Sequence, residues 1–237
     1  MTGVSRDAGI GAAVVRALHA GGATVVASGW PPHDDAMPWS GGNPADLPVG
    51  VERHDLADPA GPAALVDAVV ARHGALDVIV AAHARSSDHD LAGTTAAELD
   101  ATWAVNVRSI VLLAQRLAAV HDPTRPGGRL VWFTSGQHLG PLPDELPYEV
   151  SKAALHGMTA TIAAAVAPAG IAAMCVNPGP VDTGWAPPHL HAEVAARFPS
   201  GRWTSPADTA AVIAFLVSDA GAALAGQVVD AEFGFRR

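Results

Sequence analysis

Cysteine is almost absent from this 237-residue chain: Cys175 is the only one, so no internal disulfide can form. A chain without disulfides suits a reducing compartment, and the expected location is the cytoplasm. Basic residues are scarce too, with 14 Lys and Arg against 23 Asp and Glu and a formal net charge of -9. That balance excludes a broad phosphate-binding surface, so no nucleic-acid partner is expected. Although 49% of the residues are hydrophobic, no uninterrupted apolar run is long enough to cross a bilayer, and no signal-peptide pattern is visible. No membrane partner is expected. Aromatic side chains make up only 5%, and tyrosine occurs once, at Tyr148. The core must therefore be built largely from small side chains.

What is present is alternation. Apolar runs of strand length, such as Ala23 to Ala27, Leu76 to Ala82, Leu130 to Phe133 and Ile171 to Val176, alternate with helical patterns such as Ala12 to His19 and Pro62 to His73. No internal repeat and no linker divides the chain, so residues 1–237 are expected to form a single domain. Such alternation predicts an α/β fold, a doubly wound parallel sheet with helices on both faces and ligands at the carboxyl ends of the strands.

The chain is organised around Gly128 to Ala154. Its strand run ends at Thr134-Ser135-Gly136, a Pro-rich loop follows, and Tyr148-Glu149-Val150-Ser151-Lys152 opens a helix. Residues four apart share one helix face, so Lys152 stands beside Tyr148. An ammonium beside a phenol favours the phenolate, which predicts a lowered tyrosine pKa and a proton donor and acceptor usable near neutrality. At the N-terminus, Gly3, Gly9 and Gly11 precede a helix, with Ser5, Arg6 and Ile10 among them. Glycines at a strand-to-helix turn let the backbone approach a pyrophosphate held by the helix N-terminus.

With Ser135 thirteen residues before Tyr148, the chain resembles the short-chain dehydrogenase/reductase family, and the resemblance covers nearly all of it. The glycine loop resembles that of members with Thr-Gly-x-Ser-Arg-x-x-Gly-Ile-Gly, such as 3-oxoacyl-carrier-protein reductases. It has two residues more than the usual family loop.

The resemblance implies a catalytic set of Asn106, Ser135, Tyr148 and Lys152, with Asn106 holding a water that links the lysine to solvent. It implies cofactor contacts from Gly3, Ser5, Arg6, Gly9, Ile10, Gly11, Asp55, Leu56, Lys152, Pro178, Gly179 and Thr183. For Asp55 a helix-cap or turn role is nearly as good a reading. The second strand ends Ser28-Gly29-Trp30 without the carboxylate that binds a ribose hydroxyl, and Arg6 stands where an arginine meets a 2'-phosphate. Together these favour NADP(H) over NAD(H). Where the family carries Asn-Asn-Ala-Gly, this chain has Ala81-Ala82-His83-Ala84, and His83 is expected to be structural.

Residues 184–203 occupy the place of the substrate lid and read as irregular. His189 and His191 lack a third ligand at suitable spacing, so no metal is expected. Pro31 to Gly50, with Met37-Pro38-Trp39, is a long connection of the kind that is often functional.

The implied function is reversible carbonyl and secondary-alcohol interconversion on a small molecule. Two alternatives stand beside it, a 3-oxoacyl-carrier-protein reductase and a catalytically idle nucleotide-binding or scaffold protein. The resemblance implies a homodimer or homotetramer formed through the long helices Ala97 to Val120 and Tyr148 to Ala167, whose apolar faces suit such packing.

One element looks incomplete, because Met1 stands where the last residue of the first central strand belongs. A start inside that strand, or a shortened strand, is expected. Without that strand its two neighbours would carry unpaired groups, which are costly when buried, and the glycine loop would lose its anchor, so a displaced or mobile Met1 to Gly11 segment and weak cofactor affinity are expected.

Overall fold

A computed structural model describes residues 1–37, 44 and 46–236. Pro38 and Trp39 of the long connection lie outside them. The sequence periods translate into alternating elements. The first half holds α1 (Ile10–Ala20), β1 (Ala27–Gly29), α2 (Pro31–Asp35), β2 (Val51–Arg53), α3 (Gly61–His73) and β3 (Val78–Ala81). Next come α4 (Ala96–Trp103), a π-helical turn (Ala104–Arg108), α5 (Ser109–Val120), β4 (Gly128–Phe133), α6 (Leu146–Gly157) and α7 (Thr159–Val166). A 3-10 turn at Ala167–Ala169 leads to β5 (Ile171–Asn177), then α8 (Pro188–Ala196), α9 (Pro206–Leu216) and β6 (Val228–Asp230).

Strands β3, β4, β5 and β6 form one parallel sheet in that order, and β1 pairs with β2 in a second. The segment Met1–Val4 lies between the two. Thr2 donates to Val80 O at 3.0 Å, and Ser28 donates to Met1 O at 2.8 Å. The expected displacement of Met1 to Gly11 is therefore corrected: Met1–Val4 sits at the sheet centre and pairs on both sides. It forms only an isolated bridge, Thr2 with Ala81, because Gly3 turns away in the left-handed region at φ 75°. A Cβ at Gly3 would fall 2.4 Å from His83 N, so no other residue fits.

Burial follows the pleat. Leu130, Trp132, Ala173 and Cys175 pack on one face with Ile110, Leu113, Leu117 and Leu155. Val131, Phe133, Met174 and Val176 pack on the other with Val14, Ile213 and Leu216. The continuous helix Ala96–Val120 is long and apolar enough by composition to cross a bilayer, which the sequence reading did not anticipate. It is spent instead on this core, where Ile110, Leu113 and Leu117 are buried. Thr95 caps it, accepting from Glu98 N at 3.2 Å. Residues 184–203, expected to be irregular, contain α8, and the second long helix breaks at Met158.

Candidate active site

The glycine loop, the ends of β1 and β2 and the segment after β3 enclose a cleft of about 500 Å³, a usual size for a small-ligand site. Of the residues singled out by sequence, Gly3, Ser5, Arg6, Gly9, Ile10, Gly11, Asp55, Leu56 and Thr183 line it. Helix α1 opens there at Gly9, with no side-chain cap and no acidic residue in its first turn. An uncapped helix N-terminus presents amide donors and a partial positive charge to an anion, so these residues fit the pyrophosphate of a dinucleotide.

Several of these side chains also make hydrogen bonds within the protein. Ser5 Oγ accepts from Trp30 N at 2.9 Å and fixes the end of β1. Asp55 Oδ1 accepts from Ala57 N at 2.8 Å, which is the turn role. Arg6 donates through Nη2 to the carbonyl of Thr183, linking the glycine loop to the segment after β5. In that segment Gly179 N donates to Asn177 Oδ1 at 3.1 Å, and Gly179 has φ 66°. Pro178 and Gly179 are not among the cleft-lining residues.

His83 is structural, as expected. Its Nδ1 lies 2.6 Å from Thr2 Oγ1 and its Nε2 2.7 Å from Ser109 Oγ. Ser109 gives its own proton to Val105 O, so His83 carries its proton on Nε2 and accepts from Thr2 on Nδ1. Burial, with Lys152 nearby, lowers its pKa to about 3.

The catalytic candidates form a second cluster. Asn106 is buried in the π-helical turn, an irregularity common at functional sites. Its Oδ1 accepts from Arg85 N at 2.7 Å, and its Nδ2 donates to Arg85 O at 3.0 Å and to Ser151 Oγ at 2.9 Å. Ser151 in turn donates to Tyr148 O at 2.6 Å. Asn106 thus ties the cleft wall at Arg85 to the helix that carries Tyr148 and Lys152. Lys152 Nζ donates to Phe133 O at 2.9 Å and lies 5.3 Å from the centre of the Tyr148 ring. Ser135 hydrogen-bonds the Tyr148 phenol.

The expected lowering of the tyrosine pKa is corrected. Burial pushes the phenol up, Glu145 and Glu149 add to the rise, and the Ser135 hydrogen bond offsets only part of it. The Lys152 ammonium is engaged by a carbonyl, and burial lowers its pKa to about 8. Gln137, which sequence reasoning missed, braces this corner: its side chain accepts from Ser135 N at 3.2 Å and donates to Lys152 O at 3.3 Å. No spacing rule points to it.

The sequence profile described as "Enoyl-(Acyl carrier protein) reductase" matches residues 3–236. The chain belongs to the short-chain dehydrogenase/reductase family. Among its relatives in the family, the uncharacterized oxidoreductase YjdA of Bacillus subtilis is 32% identical, with 100% of this chain and 96% of the relative aligned. Cis-4-hydroxycyclohexanecarboxylate dehydrogenase of Sinomonas cyclohexanicum is 31% identical over 96% of this chain and 92% of its own. The fold matches a short chain dehydrogenase from Burkholderia cenocepacia J2315, solved in complex with NADP. The TM-score is 0.84 at 30% identity, covering 98% of this chain and 95% of that one. The chain is thus an α/β short-chain dehydrogenase/reductase, and its family is one of oxidoreductases.

Proposed function

We infer that this short-chain dehydrogenase/reductase interconverts a carbonyl and a secondary alcohol on a small molecule, using NADP(H) in preference to NAD(H). The observation that carries the reading is the Ser135–Tyr148–Lys152 cluster, joined through Asn106 to the wall of the dinucleotide-sized cleft. Arg6 in the cleft supports the cofactor preference, as does the NADP complex of the Burkholderia relative.

A bound nicotinamide supplies or accepts the hydride. Ser135 holds the substrate oxygen beside the phenol. Tyr148 passes a proton to or from that oxygen; the phenol is protonated at neutral pH and so has a proton to give a carbonyl during reduction. Lys152 holds the nicotinamide ribose from its buried position. Asn106 fixes the Arg85 backbone on one side and the Ser151 hydroxyl on the other. The Sinomonas relative is named for a small hydroxy acid, which favours a free small molecule over a carrier-bound acyl chain.

The test is NADPH oxidation on a panel of plain aldehydes and ketones beside a 3-oxoacyl thioester. Turnover of plain carbonyls is expected. Turnover confined to the thioester would favour the carrier-protein reading, and none on any carbonyl would favour an idle binding protein.

A homo-oligomer belongs to the same reading. Trp103 is 47% exposed and Val150 is 45% exposed, and with Leu99 and Pro147 they line a groove between α4 and α6. Ala153, Ala160 and Ala164 leave the neighbouring helix surface smooth. Light scattering is expected to give a dimer or tetramer, and a monomer at micromolar concentration would contradict it.

A further inference from the structure

If the cleft holds a dinucleotide as proposed above, its adenosine end must distinguish a 2'-phosphate from a free 2'-hydroxyl. The sequence places Arg6 there and no carboxylate, since β1 ends on Gly29 and Trp30 follows it. The fold returns one. Pro31 and Pro32 open α2 directly after Trp30, where a missing N–H costs nothing and the fixed φ suits the first helical turn. The turn carries the chain back, so that Pro32, His33 and Asp34 line the same cleft as Arg6, Ser28 and Trp30. Asp34 lies close enough to Arg6 to favour its charged form against the effect of burial. His33 Nε2 lies 3.5 Å from Ser86 N, so the same turn meets the loop after β3.

We propose that Asp34 limits the discrimination between the two dinucleotides: its carboxylate opposes a 2'-phosphate paired with Arg6 and accepts a hydrogen bond from an unphosphorylated ribose. A carboxylate that accepts a ribose hydroxyl is a standard basis for NAD recognition, and an arginine is a standard partner for phosphate. Here both stand in one cleft, and one guanidinium nitrogen is already engaged by Thr183. The preference for NADPH is therefore modest, about tenfold or less, or about 1.4 kcal/mol.

The test is equilibrium titration of the full chain with NADPH and NADH by cofactor fluorescence, with 2',5'-ADP and 5'-AMP as competitors. Asp34→Asn is expected to tighten NADPH and 2',5'-ADP by about tenfold, the size expected for removing one nearby charge at a partly screened site. NADH and 5'-AMP should move by less than about threefold, because the amide still accepts a hydrogen bond. Asp35→Asn makes the same change in net charge one residue on, at a side chain outside the cleft lining, and is expected to leave all four ligands within about twofold. Equal tightening of both dinucleotides by Asp34→Asn, or equal effects of the two variants, would overturn the role of Asp34. If the wild-type chain bound neither dinucleotide, the functional reading would fall with it. Binding without the asymmetry would sink only this proposal.

Discussion

The two halves of the sheet are built differently, and the two ends of the site inherit the difference. On the catalytic side β4 and β5 have six and seven residues, β4 is buried throughout, and core packs on both faces. On the nucleotide side β1 and β2 have three residues each and meet the rest of the sheet through Met1–Val4. The catalytic cluster is held by side-chain hydrogen bonds that reach across elements. The nucleotide end is held by backbone approach, by one arginine crossing the cleft, and by a five-residue helix. Under the proposed function, the more deeply buried half would position the groups that do chemistry, and the thinner half would set affinity and cofactor choice.

The largest effect expected is in the core beneath the catalytic strand. Trp132 is fully buried and donates through Nε1 to Leu155 O at 3.3 Å. Trp132→Ala should cost about 3–5 kcal/mol in denaturant unfolding. Val51→Ala on the nucleotide side removes partly buried methyl groups and should cost roughly 1 kcal/mol. Similar losses at the two positions would break the contrast.

The join between the halves is expected to show in acid. His83 has a folded pKa of about 3, below its ordinary value of 6.5. Between those values the unfolded chain binds the proton and the folded chain does not, so stability rises with pH across that window. The contribution is complete above about 6.5 and is lost as pH falls toward 3. His83→Asn replaces the imidazole with an amide that does not titrate and should flatten that part of the stability curve. An unchanged slope would remove His83 from the account.

The smallest effect lies at the chain end. Phe233 has φ 53°, where a non-glycine residue carries strain. Phe233→Gly should stabilise by up to about 1 kcal/mol, since relief of the left-handed penalty is partly offset by glycine's greater freedom when unfolded. A clear loss of stability would mean that the exposed ring makes contacts worth more than the strain.

Legibility in the sequence divides along the same line. Tyr148 and Lys152 could be read because one helix turn fixes their relation, and Ser135 because strand ends face the ligand side. The strand runs were legible because burial on both faces demands continuous apolar sequence. Asp34 was not, because its place depends on a helical turn after Trp30 rather than on distance along the chain. The pKa of Tyr148 was misjudged because helix spacing says nothing about Phe133 O, which holds the ammonium, or about burial of the phenol. Pairing of Met1–Val4 was missed because the argument from unpaired strands assumed an empty central position, and these four residues occupy enough of it to bond both neighbours.

The division between a chemical end and an affinity end is tested most directly by Tyr148→Phe, with NADPH affinity and carbonyl-dependent NADPH oxidation measured on one preparation. Turnover is expected to fall by roughly 10²–10⁴-fold, the usual contribution of a positioned proton donor, with NADPH affinity within about twofold of wild type. Turnover that survives the substitution, or NADPH affinity that collapses with it, would contradict the account.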